Sequence, residues 1–173
     1  MVAFIVFKRE QLSRGMLTQH GVQPRYFEDR KQRSQVANFD AQRGHVQYGN
    51  GAHREWPAHG QDRVSMLMAL WPLLQQALAK GEQRITLPVS GAQNWSLWTM
   101  DIQGRETITT PSGPWPTWRL ARSDSGAAEQ KTLLWLAPSL HGLPVRLLVT
   151  EPNGDTADQR LNSHKRLDDL PSA

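Results

Sequence analysis

Gln61-Asp62-Arg63-Val64-Ser65-Met66-Leu67-Met68-Ala69-Leu70-Trp71-Pro72-Leu73-Leu74-Gln75-Gln76-Ala77-Leu78-Ala79-Lys80-Gly81 is the stretch whose reading decides the fold. Asp62 is a good N-cap residue and Gly81 a good C′ residue. Between them Val64, Leu67, Met68, Trp71, Leu74 and Leu78 recur at helical spacing on one face. Met66, Leu70, Leu73 and Ala77 are apolar too, so the middle of this helix, expected over about 62–80, is hydrophobic nearly all round. Such a helix must be covered on more than one side, which a curved sheet wrapping it achieves. Pro72 removes one backbone donor and crowds the preceding turn, which predicts a kink.

Outward from the helix, the chain reads as short strands broken by turn residues. Upstream, Val2–Phe7 is a β-branched and aromatic run, followed by Arg14–Thr18, Arg25–Lys31, Ser34–Phe39 and His45–Tyr48. Gly49–Gly60 has no periodicity and reads as a loop. Downstream the strands are Ile85–Val89, Asn94–Ile102, Arg105–Thr110, Thr117–Arg122, Lys131–Leu136 and Val145–Thr150. Turn signals stand at Gln103-Gly104, at Thr110-Pro111-Ser112-Gly113 and at Asn153-Gly154, the last leading into a weak strand to about Leu161. The expected fold is mainly β: an antiparallel curved sheet or half-closed barrel holding one kinked α-helix. Residues 1–160 are expected to form a single β-rich domain, and 161–173 a polar C-terminal tail.

Composition narrows the possible functions. With 38% hydrophobic residues in a chain of 173, a modest core can form. The absence of cysteine removes disulfides, thiolate catalysis and Cys-based metal sites together. The longest apolar run, Met66–Leu74, contains a proline and is too short for a transmembrane segment. The net charge of +4 resides in residues 1–60, where nine Lys/Arg face five Asp/Glu, most densely at Arg25, Arg30, Lys31 and Arg33. Tyr26 and Phe27 offer stacking surfaces there. Glu28 and Asp29 interleave with the basic residues, and no helix-turn-helix, finger or RNP-like pattern occurs, so no nucleic acid is expected as partner.

Gln61-Asp62-Arg63-Val64-Ser65 resembles the QDRxS helix start of the DUF3108 family of bacterial envelope proteins. Thr86-Leu87-Pro88-Val89, the Thr110–Gly113 turn, Leu134-Trp135-Leu136-Ala137-Pro138, Leu143-Pro144-Val145-Arg146 and Thr150-Glu151-Pro152-Asn153-Gly154 follow in the family's order. The resemblance spans residues 12–160 or so. It implies a β-rich exported protein of the periplasm whose function is uncharacterised, and it brings no catalytic or ligand residues with it. Members of the family carry a signal peptide and further strands ahead of the segment that resembles Ser13–Thr18, whereas this chain starts almost at that point. The resemblance therefore implies missing front strands, and an open sheet edge of that kind invites self-association.

The chemistry-bearing residues form no complete constellation. His53 and His59 flank Trp56 in a loop, without HExxH or a His pair at helical spacing, so they read as solvated loop residues and no metal is expected. Ser65 follows Asp62-Arg63, but G-x-S-x-G is absent; Ser65 and Asp62 read as helix-capping groups and Arg63 as a salt-bridge or carbonyl donor. His141-Gly142 reads as a turn. No catalytic residue and no cofactor is assigned. Of seven tryptophans, Trp71, Trp98, Trp118 and Trp135 fall on apolar faces and read as core; Trp56, Trp95 and Trp115 stay open. Trp115 and Trp118, beside Pro114 and Pro116, are also candidates for a sugar platform.

The apolar excess of the helix suggests a ligand surface made by Met66, Met68 and Trp71, with Trp115 as a further candidate. The favoured function is a non-enzymatic binding module for an apolar small molecule, a lipid-like tail or a partner segment. A cell-envelope hydrolase acting on a glycan or ester is the alternative, and a structural or assembly protein the third.

Overall fold

A computed structural model describes residues 9–124, 126 and 130–165; the Val2–Phe7 run lies outside them. The fold is mainly β with one helix, as expected. The first strands are β1 (Glu10–Thr18), β2 (Gly21–Arg30), β3 (Ser34–Asp40), β4 (His45–Tyr48) and β5 (His53–Glu55), which form one sheet in that order. After them come β6 (Gln61–Asp62), α1 (Met66–Ala79), β7 (Arg84–Ser90), β8 (Trp95–Thr110), β9 (Gly113–Arg122), β10 (Lys131–Ala137), β11 (Leu143–Thr150) and β12 (Thr156–Arg160). Strands β12 to β6 form a second sheet in reverse sequence order, mixed because β6 pairs parallel with β7. No helix among the described residues is long and apolar enough to cross a membrane.

The chain divides into two compact units. One holds residues up to Leu70 together with Thr86–Trp98, the other Trp71–Ile85 together with residues from Thr99 onward. In the first, period-two alternation builds the core. Phe27 lies opposite Ala37, Ala37 opposite Tyr48, and Phe39 opposite Val46, so β2, β3 and β4 send these side chains to one face. They pack there with Trp56 and Ala92, and Trp56 lies against Phe39 with ring centroids 4.5 Å apart. The stretch 49–60, read from sequence as loop throughout, contains β5: His53, Arg54 and Glu55 pair with Gln47, Val46 and His45. Three residues are too few for alternation to show in a sequence.

The second unit is an antiparallel meander. Residues 95–110, expected as two strands with a turn at Gln103-Gly104, form one strand instead. Gly104 is a bulge: the register with β9 shifts between Ile102 and Gly104, whose φ is +102°. A glycine at positive φ takes up one extra residue while the strand continues, and the same dipeptide serves turns and bulges alike. Across β9, β10 and β11, Arg119, Trp135 and Arg146 stand in one cross-strand row, with Arg160 of β12 next to it. Both neighbouring guanidiniums lie over the Trp135 indole, 5.5 and 4.5 Å from its centroid, and the indole N–H donates to Glu106. Trp135 packs with Ala137 and Val145, and Leu161 closes on the same cluster, its N–H donating to the Val145 carbonyl at 2.8 Å.

Two of the four tryptophans read as core, Trp98 and Trp135, are buried, whereas Trp71 and Trp118 are only half-buried. Trp118 carries Arg105 over its ring at 4.8 Å, so a guanidinium supplies part of its cover.

The helix begins four residues later than the N-cap signal suggests. Asp62 belongs to β6, opposite Ser90, and a tight turn follows, with the Leu67 and Met68 amides donating to the Val64 and Ser65 carbonyls. Gly81 ends the helix as expected: Glu82 N–H reaches the Ala77 carbonyl at 2.9 Å and Gly81 N–H the Leu78 carbonyl at 3.1 Å, a Schellman closure. Pro72 sits within α1 on its exposed side, and the carbonyl it leaves without an amide belongs to Met68, exposed as well, so the lost bond falls at the surface rather than in the core. Leu70 is fully buried and Leu67 half-buried. Leu70→Ala is expected to cost about 2–5 kcal/mol in equilibrium urea unfolding, and Leu67→Ala clearly less. A loss below about 0.5 kcal/mol for Leu70→Ala would place this helix face at the surface.

Candidate functional site

The first unit gathers buried polar groups where β6 meets the helix start. Asp62 is fully buried. Its Oδ1 accepts the amides of Val64 and Ser65, each at 2.8 Å, while Ser65 Oγ accepts the Asp62 amide at 2.9 Å, a reciprocal cap. Oδ2 accepts the hydroxyl of Ser13, 49 residues upstream on β1, at 2.6 Å. Burial pushes the Asp62 pKa up, against the pull of these hydrogen bonds from Ser13, Ser65 and Val64. Nearby, Tyr48 and Ser90 share a buried hydroxyl–hydroxyl bond of 3.0 Å, and Ser90 donates to the Gly91 carbonyl.

Asp29 is nearly buried too, with the opposite outcome. Burial works to raise its pKa, but the Arg9 guanidinium, the Gln11 amide and the charge of Arg63 outweigh it and hold the carboxyl below its ordinary value. The capping role read for Asp62 and Ser65 is what the structure shows. Ser65 Oγ is occupied by Asp62 and faces no histidine in its hydrogen bonds.

Beside this cluster, the ends of two hairpins and the segment after β5 enclose a groove of about 450 Å³. His20, Val22 and Gln23 come from the β1–β2 hairpin, Ala41 from the β3–β4 turn, and Trp56, Pro57 and His59 from the segment. Three bonds fix its walls. Gln61 Nε2 donates to the carbonyls of Val22 at 2.8 Å and His59 at 3.3 Å, and the Trp56 amide donates to Gly44 at 2.8 Å. The wall is therefore apolar along Val22, Trp56 and Pro57, and its rim carries the imidazoles of His20 and His59 and the amide of Gln23.

The residues proposed from sequence fall elsewhere. Met66 is buried and Met68 is 54% exposed, both in the first unit. Trp71 and Trp115 belong to the second. Trp71 packs onto the backbone of Gly142, so closely that a Cβ there would stand 2.0 Å from its ring. Trp115 donates its N–H to Thr110 Oγ1 at 3.1 Å and Ser112 Oγ at 3.0 Å and meets His164 edge-on at 5.2 Å. His53 stands beside His45, ring centroids 6.5 Å apart, while His59 lines the groove. Among the described residues no group of three or more His, Asp or Glu has metal-binding geometry.

One family model matches the chain, over residues 1–161, and its description is "Protein of unknown function (DUF3108)". No curated protein and no solved structure matches.

The buried Asp62 gives a pH signature. Its raised pKa means that the folded state holds the proton more tightly than the unfolded chain, so stability falls as pH rises from the ordinary Asp value, about 3.9, through the raised one. Asp29, and Asp158 with a pKa lowered to about 2 beside Arg146 and Arg160, act in the opposite sense and only in more acid solution. Asp62→Asn keeps the acceptor for Val64 and Ser65 and removes the charge, and is expected to flatten the decline in unfolding free energy above pH 4. Asp62→Ala leaves buried donors without an acceptor and is expected to cost about 2 kcal/mol or more at every pH. A wild-type decline that persists unchanged in Asp62→Asn would refute this assignment.

Proposed function

The chain belongs to the DUF3108 family, whose description assigns it no activity, and we propose that it is a non-enzymatic binding module for a small, largely apolar molecule held in the groove over Trp56. The observation that carries this reading is the groove itself. Its volume of about 450 Å³ falls within the range of about 300–1,000 Å³ typical of small-molecule sites. Its composition supports the same reading, because an apolar wall at Val22, Trp56 and Pro57 favours a ring or short acyl tail, and His20, Gln23 and His59 offer hydrogen bonds to one polar end. The Gln61 and Trp56 bonds hold the walls in place before any ligand arrives, which lowers the ordering cost of binding. The family resemblance supports placing this binding in the bacterial periplasm, which fractionation of cells expressing the protein would test.

The ligand surface expected at Met66, Met68, Trp71 and Trp115 is less favoured, since Met66 is buried and the two tryptophans are engaged by Gly142 and by Thr110 and Ser112.

Two probes test the groove: the fluorescent dye 1-anilinonaphthalene-8-sulfonate and a series of medium-chain fatty acids read by thermal shift. Ala41→Trp and Ala58→Trp place bulk in the groove from exposed positions. Both variants are expected to keep the wild-type circular dichroism spectrum and to weaken binding about tenfold, the equivalent of about 1.4 kcal/mol. Unchanged affinity in both variants, or no binding of either probe by the wild type, overturns the proposal.

A further inference from the structure

We propose that β1 is a self-recognition edge, along which two copies of this chain pair antiparallel about a two-fold axis at Leu12. The described sheets end in strands of very different character. β5 has three residues and β6 two, and β12 is polar, with Asp158 and Arg160 bound to each other. Short or charged edges of this kind resist pairing with another chain. β1 has nine residues and, among the described residues, pairs on one side only, with β2. Leu12, Met16 and Leu17 are 40%, 43% and 80% exposed. The strand thus offers a long row of backbone donors and acceptors together with apolar side chains.

Charge complementarity selects a second copy as the occupant. The segment Glu10-Gln11-Leu12-Ser13-Arg14 is self-complementary when read antiparallel. In that register Glu10 of each chain faces Arg14 of the other, Leu12 faces Leu12, and Gln11 faces Ser13. Period two puts Glu10, Leu12 and Arg14 on one face, so two opposite-charge pairs flank a leucine pair. Glu10 already lies 3.6 Å from Arg30, and the incoming Arg14 extends this contact into a row of alternating charge. Ser13 is turned to the other face by its bond to Asp62, which holds the edge in position. The arrangement is isologous and uses each β1 once, so it closes as a dimer rather than growing into a fibre. It stands on the edge of the sheet and is independent of the groove.

Charge exchange provides the test, read by sedimentation velocity across a concentration series of the full chain. The wild type is expected to dimerise, more weakly at high salt. Glu10→Arg and Arg14→Glu each set like charges opposite one another and are expected to weaken the dimer about tenfold. The double variant Glu10→Arg/Arg14→Glu restores opposite pairs and is expected to recover wild-type association. Leu12→Ala, at an exposed position, removes the leucine pair without adding charge and is expected to weaken the dimer, and circular dichroism checks that each variant remains folded. A wild type that stays monomeric throughout, single reversals without effect, or a double variant as weak as the singles overturns the proposal.

Discussion

A carboxylate cannot be taken out of water without several partners, and Asp62 has acquired them from three directions. The amides of Val64 and Ser65 come from the turn ahead of the helix, the hydroxyl of Ser13 comes from β1, and the strand on which Asp62 sits is fixed by Ser90. Each partner is needed because burial alone destabilises the charged form. The same constraint sets the position of the neighbouring segments. With Asp62 held, Gln61 is placed to bind Val22 and His59, and those two carbonyls shape one end of the groove. The helix start, the first strand and the groove wall therefore depend on one buried acid.

Trp56 in the first unit and Trp135 in the second are covered differently. In the first, Trp56 is covered by hydrocarbon, against Phe39 and the side chains of β2 to β4. In the second, Trp135 and Trp118 take part of their cover from arginine, and the two guanidiniums over Trp135 also pair with carboxylates, Arg119 with Glu106 and Arg146 with Asp158. A ring covered by hydrocarbon leaves a surface suited to apolar ligands at its margin. A ring covered by arginine leaves a surface of alternating charge.

What a sequence makes legible here depends on how local the cause is. The Gly81 stop rests on a rule a few residues long and holds, and the Asp62 side chain does bind the Val64 and Ser65 amides, though in the turn ahead of α1. The strands of β3, β4, β10 and β11 follow from alternation and β-branching within each run, and they too stand where the pattern puts them. The displaced helix start does not, because it depends on β6 pairing with β7, whose residues lie 28 positions away: Gln61 with Val89, Asp62 with Ser90. Gly104 gives a turn signal, and only its partner Arg119 on β9 reveals a bulge. The groove is hardest to foresee, since its walls come from three separated segments and its central residue, Trp56, lies in a stretch without periodicity. The run Trp56-Pro57-Ala58-His59-Gly60 was the available hint: aromatic, apolar and imidazole groups packed into five residues between strands.

The row of Arg119, Trp135 and Arg146 has a consequence for how the chain finds its pairing. The register of β10 on β11 shifts between Trp135 and Leu136, where β11 carries the extra residue Val145. A slip of one residue sends Trp135 to the opposite face of the sheet and separates the indole from both guanidiniums at once. The penalty falls on three strands together, because the tryptophan belongs to the middle one. The row thus ties the registers of β9, β10 and β11 to a single indole, so a slipped pairing of one hairpin also forfeits a contact made by the next.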